Sequence, residues 1–231
     1  VNNKMSNYNV KSLKAEEFIS DAEILETIKY AEENKNNIEL INSILEKARP
    51  RKTETGTVCA GLTHREASVL LACEIPEKIE ELLTKQEQIQ KVASILSKES
   101  DLFFLGRGAD YFLVLEGSLK LKEISYIHSE SYAAGELKHG TISLVTEDMP
   151  VIAVATQSDL FDKTISNVKE VKARGAKVSM ICNEEVSVDK DVANHLVQIP
   201  KVDDLFMPIL AIVPLQFIAY YTAVLKGCDV D

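Results

Sequence analysis

DLFFLGRG (residues 101–108), running straight into ADYFLVLEGSLKLKEISYI (109–127), is the stretch on which the fold turns. Leu102–Leu105 form a short apolar, β-prone run of the kind buried inside a parallel sheet. Gly106, Arg107 and Gly108 end that run in a turn, and a helical pattern follows over about 110–127. The alternation continues downstream. Apolar runs at Val151–Ala155, Val178–Cys182 and Leu196–Ile199 are separated by helical segments at about 159–174, 189–194 and 208–226. Short buried strands alternating with helices predict an α/β domain, a parallel sheet with helices on both faces.

Upstream the texture differs. No glycine occurs before Gly56, so turn signals are scarce and the segment reads as helical. One helix starts at Ser20 or Asp21 and carries Ile24, Leu25, Ile28 and Ala31 at helical spacing. A second carries Ile38, Ile41, Ile44, Leu45 and Ala48 and stops before Pro50. RPRKTETGTV (49–58) reads as a polar linker. Thr63 and Glu66 form a capping box, each positioned to satisfy a free amide near the other. That box opens a short helix over Ala67–Cys73, and Pro76, at a first-turn position, opens another through about Leu96. The expected division is a helical segment over 1–78 and an α/β domain over 79–231.

The chain has 231 residues, 45% of them apolar and 27% charged, which is enough for a real core and excludes wholesale disorder. Its net charge is −10. Residues 1–78 hold 11 Lys/Arg and 13 Asp/Glu, residues 79–231 hold 15 and 23, so the α/β part is the more acidic. That argues against nucleic acid or an anionic membrane as the main partner, because phosphate backbones select basic stripes. No apolar run approaches the about 20 residues of a membrane span, and VNNKMSNYNVK at the start has no apolar signal core. Cys59, Cys73, Cys182 and Cys228 are scattered without metal-ligand spacing and read as reduced, buried small hydrophobes of a cytoplasmic protein. No metal or cofactor is expected.

In an open α/β sheet, ligands bind beyond the carboxyl ends of the strands. Gly106, Arg107 and Gly108 sit there and lead into a helix N-terminus, an arrangement that suits a phosphate and equally suits a plain turn. The helix itself is apolar over most of its circumference and is expected to be largely buried. Glu116, Lys120 and Glu123 nonetheless share one face. They read either as a solvated ion-pair ladder or as charges kept in a cleft for proton transfer next to a carbonyl. In the small, polar loop SESYAAGELKHG (129–140), His139 beside Gly140 is either an acid/base near neutrality or an ordinary surface histidine.

FFLGRGADYFLVLEGSLKLKEISYIHSESYAAGELKHGTISL (103–144), with MPVIAVAT, EVKARGAKV, IPKVDDL and PLQFIAYYTAVLKGCDVD further on, closely resembles the second sugar-isomerase (SIS) lobe of the glucosamine-6-phosphate synthases. The resemblance covers roughly 79–231. It implies a flavodoxin-like parallel sheet, a homodimer formed through the lobe, and fructose 6-phosphate or glucosamine 6-phosphate as ligand. It assigns Glu123 to moving the proton between C1 and C2 of the sugar. His139 is assigned to ring opening, donated across the dimer, and Glu116 and Lys120 to positioning. Gly106, Arg107 and Gly108 are the expected substrate-binding loop. The glutaminase domain, the first SIS lobe and a C-terminal tail bearing an active-site lysine have no counterpart in these residues, so autonomous synthase activity is not expected. The reading is therefore a partial isomerase domain contributing to aldose–ketose isomerisation. Its alternative is a non-catalytic sugar-phosphate-binding or dimerisation module. NYNVKSLKAEEFISDAEILETIKYAEENKNNIELINSILEKARPRKTETGTVCAGLTHREASVLLACEI (7–75) resembles the N-terminal helices of HydG, the radical-SAM tyrosine lyase of hydrogenase maturation, which adds a fragment of such a maturase as a further alternative. The cluster-binding CxxxCxxC loop of that family has no match here, so iron–sulfur or S-adenosylmethionine binding is not implied.

Overall fold

In a computed structural model the described residues are 21–48, 51–53, 56–58, 63–189, 191–204 and 206–230. The start of the first helix at Ser20 and the position of Cys59 lie outside them. The chain falls into two compact units that part after Cys73.

In the first unit, α1 (Asp21–Asn34) and α2 (Ile38–Ala48) are the two expected helices. Ala31 and Ile44 are buried, whereas Leu25 and Ile28, on the expected apolar stripe, are exposed. The stretch read as a linker carries two short strands, β1 (Arg51–Thr53) and β2 (Gly56–Val58), paired antiparallel. The capping box forms as expected. Thr63 N–H donates to Glu66 at 2.8 Å, Glu66 N–H donates to Thr63 Oγ1 at 3.3 Å, and Lys47 Nζ holds the same carboxylate at 2.8 Å. Those bonds, the lysine's first, hold the Glu66 carboxyl down at about 2.

Helix α3 (His64–Thr84) runs on where a break at Pro76 was expected, and α4 (Gln86–Leu96) follows after Lys85. A proline removes one helical hydrogen bond but its fixed φ is helical, so an exposed Pro76 is carried inside the helix rather than starting a new one.

The second unit is built on a five-stranded parallel sheet in the order β4-β3-β5-β6-β7. Its strands are β3 (Asp101–Gly106), β4 (His128–Ala133), β5 (Pro150–Ala155), β6 (Lys177–Asn183) and β7 (His195–Ile199). Helices α5 (Ala109–Ser125), α6 (Phe161–Lys172) and α7 (Met207–Lys226) complete it. Side-chain alternation sorts the two faces. Phe103, Leu105, Val151, Ala153, Val178, Met180 and Cys182 form one core with Val168 and Val171 of α6. On the opposite face α5 packs on β3 and β4, and α7 packs on α5 and α4. Burial pushes the Cys182 thiol up to about 12, which makes it an inert hydrophobe.

Three further expectations change. The segment 189–194 forms no helix in its described residues, and the polar stretch at 128–133 is an edge strand, not a loop. Its odd residues face α5: Ser129 and Ser118 share a hydrogen bond of 2.8 Å, and Ser131 Oγ donates to Val114 O at 2.8 Å. Helix α7 is, by length and composition, long and apolar enough to cross a membrane, against the expectation that no run comes close. Here Met207, Leu210, Ala211, Leu215, Ile218 and Ala219 of that helix are buried in the lobe.

Candidate functional site

The parallel pairing of β3 with β4 sets Gly106 opposite Ala133. The loops after these two strands therefore meet at the carboxyl edge of the sheet, and with them Arg107, Gly108 and the turn leading to His139. Gly106 is required there because a Cβ would lie 2.4 Å from the Asp110 carbonyl oxygen. Gly108 has φ +58°, a left-handed conformation that favours glycine. Arg107 Nη1 donates to Asn167 Oδ1 of α6 at 3.0 Å, and the same guanidinium lies against Gly135, where a Cβ would sit 2.7 Å from Nη1. The arginine thus spans from α6 to the loop that carries His139. His139 closes a single 3-10 turn, Leu137–His139, with its side chain exposed.

Asp110, which sequence reasoning passed over, is the buried polar centre of this edge. One carboxylate oxygen accepts from Thr156 N–H at 2.8 Å and the other from Thr156 Oγ1 at 2.6 Å, while Gln157 N–H is 3.4 Å away. Burial pushes its carboxyl above the ordinary carboxylate range despite these bonds. The carboxylate thereby occupies backbone donors at the end of β5 that an anion would otherwise use. Gln157 Nε2 beside it is buried and has no partner among the described residues. The only local signal for Asp110 was an acid in the first turn after the glycines; its partners lie 46 residues away.

Glu116, Lys120 and Glu123 do share one face of α5, as their spacing predicts. Lys120 Nζ is 2.8 Å from Glu123 Oε2 and 3.7 Å from Glu116 Oε1. The bond to Glu123 raises the ammonium pKa. The expected burial of this helix is not found. Phe112, Leu115 and Leu119 are exposed, and the three charged side chains keep 39–47% of their surface. The buried side of α5 is Val114, Gly117, Ser118 and Leu121, with Gly117 allowing Leu215 of α7 to approach to 3.1 Å of a would-be Cβ.

The candidates therefore form two groups. Helix α5 starts at the carboxyl edge of the sheet and runs back along it, so Glu123, 14 residues after Ala109, lies roughly 21 Å along the axis from the glycine loop. Gly106, Arg107, Gly108 and the His139 turn are at one end. Lys120 and Glu123 are toward the other. Within a single chain the fold does not bring Glu123 and His139 together. Among the described residues no group of three or more His, Cys, Asp or Glu is placed to hold a metal ion.

A five-stranded parallel sheet with helices on both faces and a glycine-containing loop at its carboxyl edge is an open α/β lobe, and the SIS domain family matches residues 95–226. The chain belongs to that family. It is 52% identical over 157 residues to the glutamine–fructose-6-phosphate aminotransferase (isomerizing) of Clostridium acetobutylicum and 45% identical to that of Escherichia coli, covering 68% of this chain in each case. The chain spans about a quarter of the length of these relatives, 26% of each. Among solved structures it is similar to the C-terminal domain of glucosamine-fructose-6-phosphate aminotransferase from Francisella tularensis, with a TM-score of 0.67 and 37% identity over 74% of this chain and 48% of that one. The sugar isomerase domain of an RpiR transcription factor from Sphaerobacter thermophilus shares the fold alone, with a TM-score of 0.57 and 15% identity over 65% of this chain and 86% of that one.

Proposed function

We propose that residues 79–231 are an isomerase lobe of the glucosamine-6-phosphate synthase type, cytoplasmic, that binds fructose 6-phosphate or glucosamine 6-phosphate and takes part in aldose–ketose isomerisation. The observation that carries this is the Glu116–Lys120–Glu123 ladder, in which one ammonium bridges two carboxylates on an accessible helix face. A carboxylate moves a proton between adjacent carbons of an open-chain sugar by accepting it from one and returning it to the next. Glu123 has that role, and the neighbouring Lys120 supplies positive charge toward the oxygen on which negative charge develops. Glu116 holds Lys120 from the other side. Arg107, the amides around Gly106 and Gly108 and the unsatisfied amide of Gln157 lie at the His139 end, too far from Glu123 of the same chain for one sugar phosphate to reach both. They serve the phosphate of a sugar worked by the partner's Glu123. His139 opens the ring.

The separation of His139 from Glu123 within one chain supports a homodimer in which the histidine serves the partner's sugar. The exposed apolar residues Phe112, Leu115 and Leu119 of α5 and Tyr220 and Val224 of α7 suit such an interface.

The test is deuterium exchange from solvent into C1 and C2 of fructose 6-phosphate, with the first SIS lobe of a relative supplied in trans. Exchange is expected in the wild type and a loss of at least 100-fold in Glu123→Gln. Equal exchange in both would sink the assignment. A second reading, a sugar-phosphate-binding module without catalysis, is favoured by the exposure of the ladder and by the Asp110 carboxylate seated on the β5 amides. Heat on titrating fructose 6-phosphate, without exchange, would establish it. Residues 1–78 are a separate matter. Their resemblance to the helical lead-in of the radical-SAM maturase is supported by helices at 21–34 and 38–48.

A further inference from the structure

A cleft of ≈ 530 Å³ opens between α4 and the start of β7, at the amino end of the sheet and on its outer edge. Its lining is Gln88 and Lys91 of α4, Val188, Asp189, Ala193 and Asn194 of the connection before β7, and His195 and Leu196 of β7 itself. Lys172, in the last turn of α6, reaches the same place and donates to Asn194 Oδ1. Three cationic or potentially cationic side chains from three elements thus converge on one concavity, in a lobe with a clear excess of acidic residues.

The cluster has no internal neutralisation. Among the described residues neither Lys91 nor Lys172 has a carboxylate within 4.0 Å, whereas Lys78, Lys85, Lys120, Lys177 and Lys201 of this lobe are each bound to an acid at 2.5–3.1 Å. The charged groups facing His195 are Lys91 from α4 and Lys172 from α6, with Asp189 on the rim. Burial first, and then the two ammonium groups, hold the imidazole below its usual pKa. Like charges gathered in a partly desolvated hollow raise one another's energy, and a bound anion relieves that repulsion. The wall formed by Val188, Ala193 and Leu196 is apolar, and the cleft is of a size that holds a small organic ligand.

We propose that this cleft binds a phosphate monoester, its dianion held by Lys91, Lys172 and the imidazolium of His195, and its carbon body laid on Val188, Ala193 and Leu196. Asp189 offers an acceptor for a hydroxyl of the body. The site is independent of the Glu123 ladder, since it is assembled from α4, α6 and the β7 edge.

The experiment follows the imidazole Hε1 resonance of His195 in the full chain, assigned with His195→Gln, as pH is varied at constant ionic strength. Inorganic phosphate at 10 mM, against chloride, is the first probe. An anion favours the protonated ring, so phosphate is expected to raise the His195 midpoint by half a pH unit or more. In Lys91→Gln/Lys172→Gln that rise is lost, and in either single variant phosphate binds at least threefold more weakly. Glucose 6-phosphate, the second probe, is expected to bind at least tenfold tighter than the inorganic ion. A His195 midpoint indifferent to phosphate, or one that rises equally in the double variant, overturns the site. Equal affinity for the two probes overturns its assignment to a monoester.

Discussion

At the scale of single residues, Asp110 does most to shape the carboxyl edge of the lobe. It is buried, it joins the N-terminus of α5 to the end of β5, and it accepts the Thr156 amide and hydroxyl hydrogens. Truncating it leaves those donors buried without an acceptor. Each such orphan costs about 1–3 kcal/mol, set against the relief of removing a buried charge. Asp110→Ala is therefore expected to lower the unfolding free energy by about 2–4 kcal/mol, read from urea denaturation at neutral pH. Asp110→Asn keeps the shape and one acceptor but turns an amide toward the same donors, so it should fall between the two. Its pH dependence has a defined sign. Because the folded carboxyl binds its proton more tightly than the unfolded one, its contribution to stability is present at low pH and is lost as pH rises through the raised value. The difference in stability between wild type and Asp110→Asn should accordingly be larger at pH 3.5 than at pH 7. An Asp110→Ala chain as stable as the wild type at pH 7 would show that the carboxylate holds nothing together. None of this was legible locally. The acid two positions past Gly108 looked like an ordinary first-turn residue, and only the tertiary fold shows that its partner is Thr156.

At the scale of elements, what could be read depended on whether a segment carries its own pattern. The runs at 102–105, 151–155, 178–182 and 196–199 are apolar on both sides because both faces of a parallel sheet are covered, and all four are strands. The β4 strand gave no such sign. Ser129 is buried and Ser131 half-buried, hydrogen-bonded to Ser118 and Val114 of α5, and the strand's other side is partly open at the sheet edge, so HSESYA reads as polar. Helix α5 misled in the opposite way. An apolar residue on every side suggests burial, yet the close approach at Gly117 already seats one side on α7, and Phe112, Leu115 and Leu119 are left outside. The i, i+4, i+7 spacing of Glu116, Lys120 and Glu123 survived because it depends only on helix geometry. The roughly 21 Å from the glycine loop to Glu123 follows equally from helix geometry. What spacing could not supply is the second chain or lobe that a site split in this way requires.

At the scale of the whole molecule, the second unit should be self-sufficient, and α4 decides where it begins. The family match starts at residue 95, inside the last turn of that helix. Yet Ile89, Val92, Ala93 and Leu96 of α4 are buried. Polar bonds fix the helix to the lobe as well: Tyr221 Oη donates to Gln86 Oε1 at 2.5 Å, the Gln198 amide donates to Gln88 Oε1 at 2.9 Å, and Lys85 Nζ meets Glu184 at 2.6 Å. Full burial of an aliphatic side chain is worth about 1.5–3 kcal/mol, so removing Ile89, Val92 and Leu96 costs roughly 5–9 kcal/mol, a third or more of the roughly 5–15 kcal/mol that holds a typical domain together. Gln88 also satisfies an outward amide of β7, and without it that edge is open to pairing with other chains. A chain of residues 74–231 is therefore expected to unfold in one cooperative transition and to sediment as a dimer, since its α5 and α7 surfaces are intact. A chain of residues 97–231 should be aggregated or molten, shown by loss of the near-UV signal. If the shorter chain unfolds as cooperatively as the longer one, α4 is an ornament. If the longer one is a monodisperse monomer, His139 cannot serve a partner's sugar, and its role in ring opening has to be given up.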